Sequence, residues 1–391
     1  MMPQFFATNR AMEQLGKAVD PEQGTRADRH LLSRGGYYFV NMNSYMRFYL
    51  GTTDGERIPR EAIIDNSRKT VFEDFLADTR IASVVICVHG FNVELHEAHT
   101  WFRILTDTMR HLPTVGRRIV TSPADLPTPS TPTDRLTAFI GFSWPSDGKV
   151  FRYSSDRSEA VRSAAPFAHL LTRLKMSGKS VKLVCHSMGN YLACHTLAAL
   201  IDKHLVPSVE GMSQEMRDRF ERSTCFERGT YSEDEPERVT RPSDDWLVDN
   251  YVMLAPDVER RHVTKSAGVG VEAEYIGQFY SGLQHLVRRT TNVYSRFDGA
   301  LRVSDIEKVP RDLGLSVGDA VSKWSLGLLD FLKRNPDHRW EKRLGEAPAP
   351  ANAAPEFDSL NATELANRKI DHSDHIDSKS VVSGIAAALE I

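Results

Sequence analysis

Five apolar runs of strand length recur through the chain, with helical sequence between several of them. They are SVVICVHGF (83–91), LTAFIGFSW (136–144), VKLVCHS (181–187), DNYVMLAPD (249–257) and TTNVYSRFD (290–298). β-Branched and aromatic residues fill them, and several are apolar without alternation, which is the pattern of strands covered on both faces. Stretches 96–112, 156–178 and 189–205 carry helical periodicity. Strand and helix in alternation require right-handed crossovers, so the expected fold is α/β, a mostly parallel central sheet with helices on both faces.

Other stretches interrupt this rhythm. Residues 113–134 are rich in Pro, Thr and Ser and are expected as a long loop. Residues 206–247 are highly charged and follow the 189–205 helix directly, which suits either a solvated insertion or a lid. GEAPAPANAAPEF (345–357) has the composition of an Ala/Pro linker. YYFVNMNSYMRFYLGTTDG (37–55) is expected to give one or two antiparallel edge strands closed by a Gly/Asp turn. The resulting division is an N-terminal extension with edge strands over 1–80, then one α/β domain over 81–391. Its insertions are expected at about 113–134, 206–247 and 336–367.

The 391 residues contain 49 Lys+Arg against 52 Asp+Glu, a formal net charge of -3, so no overall field attracts nucleic acid or an anionic membrane. The four cysteines form no C-x-x-C pair, which suits a reduced interior. The first residues carry no basic segment followed by a long apolar one, and no run reaches the roughly 18 apolar residues of a spanning helix. A soluble, cytoplasmic protein with no integral membrane segment is expected. Nothing in the sequence sets an oligomeric state.

VKLVCHSMGN (181–190) runs from an apolar strand through a small-residue turn into a helix. A serine hydroxyl at such a turn is lifted out of the sheet and faces the free N–H groups of the helix start. Ser187 is therefore the candidate nucleophile. The usual elbow is G-x-S-x-G; here Gly189 supplies the second glycine and Cys185, a small hydrophobe, replaces the first. Upstream, VVICVHGFNVE (84–94) is a strand ending in His89-Gly90-Phe91-Asn92, a turn placed to supply one oxyanion-hole N–H. The expected donors are the amides of Phe91 and Met188. His89, Gly90, Asn92, His186 and the Trp144-Pro145-Ser146 strand end are expected to shape the pocket.

VHGFN, GFSWPSDG, the spaced Tyr153 and Asp156, and CHSMGN together resemble a mostly bacterial α/β-hydrolase family of unknown function, in blocks scattered from residue 5 to about 305. FFATNR (5–10) is similar to the short strand with which such proteins often begin. The resemblance implies a serine hydrolase of the α/β-hydrolase fold, without naming its substrate. The triad order in this fold is nucleophile, acid, base. Asp298, after the second strand beyond the nucleophile, is the preferred acid, and Asp257, after the first, is the alternative. The base falls near the end of the chain, where a short strand, a polar turn and a terminal helix are expected; His375 is preferred and His372 is the alternative.

His96 and His99 stand three apart on a helix without a third ligand at a recognisable spacing, so a solvated face is expected there rather than a metal site. The leading expectation is a carboxylic-ester hydrolase acting on a small-molecule ester or acyl substrate through an acyl-enzyme, with no cofactor and no nucleic-acid partner. The alternative is a catalytically silent α/β-hydrolase scaffold that binds a ligand or a partner protein.

Overall fold

The structure, a computed structural model, describes residues 5–10, 37–49, 65, 68–127, 135–146, 153–201, 246–265, 277–298, 301, 343–353 and 357–391. In chain order the first half contains β1 (Phe6–Thr8), β2 (Tyr38–Phe39), α1 (Met42–Tyr49), α2 (Arg68–Ala77), β3 (Ile81–Val88), α3 (Leu95–Arg110), β4 (Ile119–Val120) and β5 (Leu136–Ser143). Then follow α4 (Tyr153–Arg162), α5 (Ala164–Met176), β6 (Ser180–His186), α6 (Gly189–Ile201), β7 (Val248–Leu254), α7 (Tyr280–Leu286), β8 (Val287–Tyr294), β9 (Phe357–Asn361), α8 (Ala362–Ala366) and α9 (Lys379–Ala388).

The strands form one sheet in the order β2-β1-β5-β3-β6-β7-β8-β9, with β4 also on β5. Among the described residues, every pairing between these strands is parallel except β1 with β2. All five apolar runs are strands of this sheet, and β6, which leads to Ser187, lies between β3 and β7. One face is covered by α2, α5, α6 and α7, which bring Phe72, Phe167, Leu197 and Leu283 against Leu183 and Tyr251. The other is covered by α3 and α9, which bring Phe102, Leu105, Val382 and Ile385 against Val85, Val184 and Val252. Both faces of the central strands are thus dry, which explains the missing alternation; each fully buried side chain of this size contributes roughly 1.5–3 kcal/mol.

Several local expectations are corrected. The 156–178 stretch is two helices, because Pro166 has no N–H and its ring crowds the Arg162 carbonyl, ending the ladder where α4 stops. Residues 42–49 form a helix, with Met42 and Tyr45 three apart and both buried. Only Tyr38–Phe39 is strand there, and 50–55 lie outside the described residues. Within the expected loop at 113–134, Ile119–Val120 pair with Thr137–Ala138 as a two-residue edge strand.

The Ala/Pro stretch is not free either. Ser295 N–H donates to Gly345 O at 2.9 Å and Gly345 N–H to Pro256 O at 3.1 Å, while Asn292 Nδ2 reaches Leu344 O and Ala347 O. These bonds tie it across the ends of β7 and β8. The short strand expected just before the late histidines lies earlier, as β9, and the terminal helix is α9. The charged insertion lies outside the described residues from 206 to 245, as does 336–342. Among the described residues no helix is long and apolar enough to cross a membrane.

Candidate active site

Ser187 follows β6 directly, and its φ of +50° lies in the left-handed region. A non-glycine residue there is strained by about 1–3 kcal/mol, and persists only where its surroundings hold it. They do so densely. Ser187 N–H donates to Leu254 O at 2.9 Å, and Ser187 O accepts from Asn190 N at 3.1 Å and Asp257 N at 3.2 Å. The Asn190 side-chain amide reaches the carbonyls of Cys185, Ser187 and Leu254, while Tyr251 Oη donates to Asn190 Oδ1 at 3.0 Å. Sequence reasoning missed Asn190, although it stands in the quoted motif.

The two glycines flanking the site are required by close approach. A Cβ on Gly90 would lie 2.7 Å from Ser187 Cβ, and one on Gly189 would lie 2.4 Å from His89 O. The loop after β3 and the elbow after β6 are therefore pressed backbone to backbone. Cys185 replaces the first elbow glycine without clash because its side chain is fully buried in the core, where burial pushes the thiol up. Met188 precedes the first residue of α6, so its N–H stands where a helix has no internal acceptor.

The HGFN loop has its own scaffold. His89 Nδ1 lies 2.8 Å from Gly90 O, so this nitrogen carries the proton and donates it. Nε2 then accepts, from Trp144 N–H at 3.2 Å and from Ser143 Oγ at 3.0 Å. Arg10, two residues past β1, donates through Nε to Ser143 Oγ at 2.9 Å and through a second nitrogen to Val93 O at 2.7 Å. Burial, with Arg10 nearby, pushes the His89 pKa down to about 3 and keeps the ring neutral. Because the Gly90 carbonyl is held this way, peptide planarity turns the Phe91 N–H to the opposite side. Asn92, at φ +57°, turns the chain just beyond it. Trp144, expected at the pocket rim, is instead fully buried, stacked on His89 with Nε1 donating to His89 O at 3.0 Å.

At the other side of the elbow, Asp298 is buried four residues past β8, and its Oδ2 lies 2.7 Å from His372 Nδ1. His372, and not His375, is thus the histidine hydrogen-bonded to the carboxylate. His375 sits in the turn 374–376, is 1% exposed, and directs Nδ1 to His372 O at 3.1 Å. Burial pushes its pKa down to about 4. His186, beside Ser187, donates through Nε2 to the same carbonyl at 2.9 Å, and its ring lies 4.8 Å from that of His372. Asp257 is elsewhere: its carboxylate is buried against the Arg343 guanidinium.

The metal alternative also takes shape differently from expectation. His99 is buried edge-on against Phe6 instead of solvated, whereas His96 faces Glu94. Among the described residues no group of three or more His, Cys, Asp or Glu is placed to hold a metal ion.

A family model described as "Alpha/beta hydrolase of unknown function (DUF900)" matches residues 64–320. The uncharacterized protein alr1448 of Nostoc sp. (strain PCC 7120) is 39% identical over 389 residues, covering 99% of this chain and 93% of the relative. An inhibited esterase B from Lactobacillus rhamnosis aligns over 80% of this chain and 78% of its own at 12% identity and a TM-score of 0.32. The family match stops short of His372, whereas the relative's alignment covers nearly the whole chain.

Proposed function

The chain belongs to the α/β-hydrolase family of unknown function, and we propose that it is a serine hydrolase that cleaves carboxylic esters through an acyl-enzyme. The observation that carries this reading is the Asp298–His372 pair, whose imidazole lies 4.8 Å from the ring of His186, the residue just before the strained Ser187. His372 is the base, in preference to His375, because a base needs a carboxylate on one nitrogen and a free second nitrogen for the nucleophile. Asp298 fixes the Nδ1–H tautomer, and Nε2 takes the Ser187 proton as Oγ attacks the ester carbonyl. The oxyanion is held by the amides of Met188 and Phe91, the latter oriented through His89 and Arg10. The protonated His372 then gives its proton to the leaving alkoxide, and water repeats the sequence to release the acid.

Asp257 is assigned a scaffolding role through Arg343. The near-balanced charge gives no attraction for a polyanion, which suits a small, moderately apolar acyl group. The test is turnover of p-nitrophenyl acetate and butyrate, with intact mass recorded during the reaction. A burst of nitrophenol and an acyl mass increment on the Ser187 peptide are expected. Folded wild-type protein with neither burst nor adduct for these esters or for a thioester series would overturn the reading.

A further inference from the structure

His372 O accepts two hydrogen bonds from two different elements: His186 Nε2 at 2.9 Å from the end of β6, and His375 Nδ1 at 3.1 Å from the 374–376 turn. A carbonyl has two lone pairs, and both are used here by imidazoles. Each of these rings is neutral, since burial pushes both pKa values down, and a neutral imidazole has a single N–H. Each therefore spends its one proton on the same oxygen.

The arrangement is specific in its nitrogens. At His375 the proton must be on Nδ1, which leaves Nε2 buried without a hydrogen-bond partner among the described residues. At His186 the proton must be on Nε2, while Nδ1 faces Gly90, where a Cβ would come within 3.0 Å of it. The His186 ring also lies between Trp101, at 5.8 Å, and His372, at 4.8 Å. The side chain next to the nucleophile is thus hydrogen-bonded to the backbone of the residue that activates it, across 186 positions of chain.

We propose that His186 and His375 form a two-donor clamp on the His372 carbonyl, acting as positioning residues that hold the base at Ser187. The inference rests on the assignment of His372 as base and adds to it a reason for the other two histidines. Asp298 fixes the direction of the ring through Nδ1, and the clamp fixes the backbone from which the ring projects. A misplacement of about 1 Å at a catalytic group costs on the order of 10²-fold in rate, so the clamp has a kinetic readout.

The amides of Asn and Gln separate the two donor positions, since Asn places its nitrogen near the imidazole Nδ1 position and Gln near the Nε2 position. The experiment is the second-order rate of fluorophosphonate labelling at Ser187 in wild type, His186→Gln, His186→Asn, His375→Asn, His375→Gln and His372→Ala, each checked by circular dichroism. His186→Gln and His375→Asn are expected within about threefold of wild type, and His186→Asn and His375→Gln slowed on the order of 10- to 100-fold. A packing role would not reverse the preference for Asn and Gln between the two sites. Equal rates in all four clamp variants, with wild type labelled and His372→Ala silent, overturn the clamp alone. Labelling that survives His372→Ala overturns the base assignment and the clamp with it. If a disfavoured variant does not fold, the rate of its favoured partner decides: a loss of 10-fold or more there contradicts the clamp.

Discussion

Asp298 Oδ2 and His372 Nδ1 lie 2.7 Å apart, joined across 74 residues of chain, and the His372 ring lies 4.8 Å from that of His186, the residue before Ser187. The carboxylate is buried while the His372 side chain keeps 16% exposure, so one ring nitrogen is fixed from inside and part of the side chain stays exposed. Asp298→Asn is expected to leave the fold intact and lower kcat on the order of 10³- to 10⁴-fold, because the amide presents a donor to Nδ1 and favours the wrong tautomer. Steady-state kinetics on a p-nitrophenyl ester checks this, and a loss below 10-fold would count against the pair.

The path Arg10, Ser143, His89, Gly90 O makes the N-terminal strand part of the proposed oxyanion hole. His89→Ala removes the donor that holds the Gly90 carbonyl. The loss of one oxyanion donor costs on the order of 10²- to 10³-fold in kcat. A fall of about that size with KM little changed is expected, and a selective rise in KM would point to substrate binding instead.

Arg343 and Asp257 are 1% and 3% exposed, a buried ion pair outside the proposed triad. Removing one partner of such a pair typically destabilises by about 3–5 kcal/mol, because the other charge stays buried. Arg343→Met is therefore expected to lower the denaturant midpoint strongly, while Asp257→Asn keeps most of the kcat of folded protein. Loss of labelling in folded Asp257→Asn would restore Asp257 as a candidate acid.

Acid should destabilise the protein well before its carboxylates protonate. His89 and His375 have folded pKa values pushed down to about 3 and about 4, against an ordinary value of 6.5. The unfolded chain therefore binds protons first as pH falls. Stability from these rings is fully present above about pH 6.5 and declines as pH falls toward 4, where His375 itself protonates in the folded state. The full shift at His375 corresponds to roughly 3 kcal/mol. Urea unfolding at pH 7, 6, 5 and 4 checks the decline, and His375→Asn should flatten it.

The fold was legible because its signal is repeated. Val84 and Val85, or Leu183 and Val184, are buried on opposite faces of a covered parallel sheet, and that demand writes continuous apolar runs into the sequence. The strand, turn and helix around Ser187 were legible for a local reason, since all three lie within one stretch. The choice between His372 and His375 was not. Both stand in one polar turn, and what separates them is contact with Asp298, which no spacing within the turn encodes.

Arg10 and Asn190 escaped for related reasons. Arg10 acts through a serine 133 positions away, and Asn190 works on three carbonyls, so neither role leaves a periodic trace. The helix at 42–49 was missed because aromatic and β-like composition outweighed the spacing of Met42 and Tyr45.

The most direct test of the account is fluorophosphonate labelling of wild type, Ser187→Ala, His372→Ala and His375→Asn, with the modified peptide mapped by mass spectrometry. Labelling of wild type at Ser187, none in Ser187→Ala or His372→Ala, and near wild-type labelling in His375→Asn is the predicted result. Folded wild-type protein that stays unlabelled, or labelling that survives His372→Ala, would contradict it.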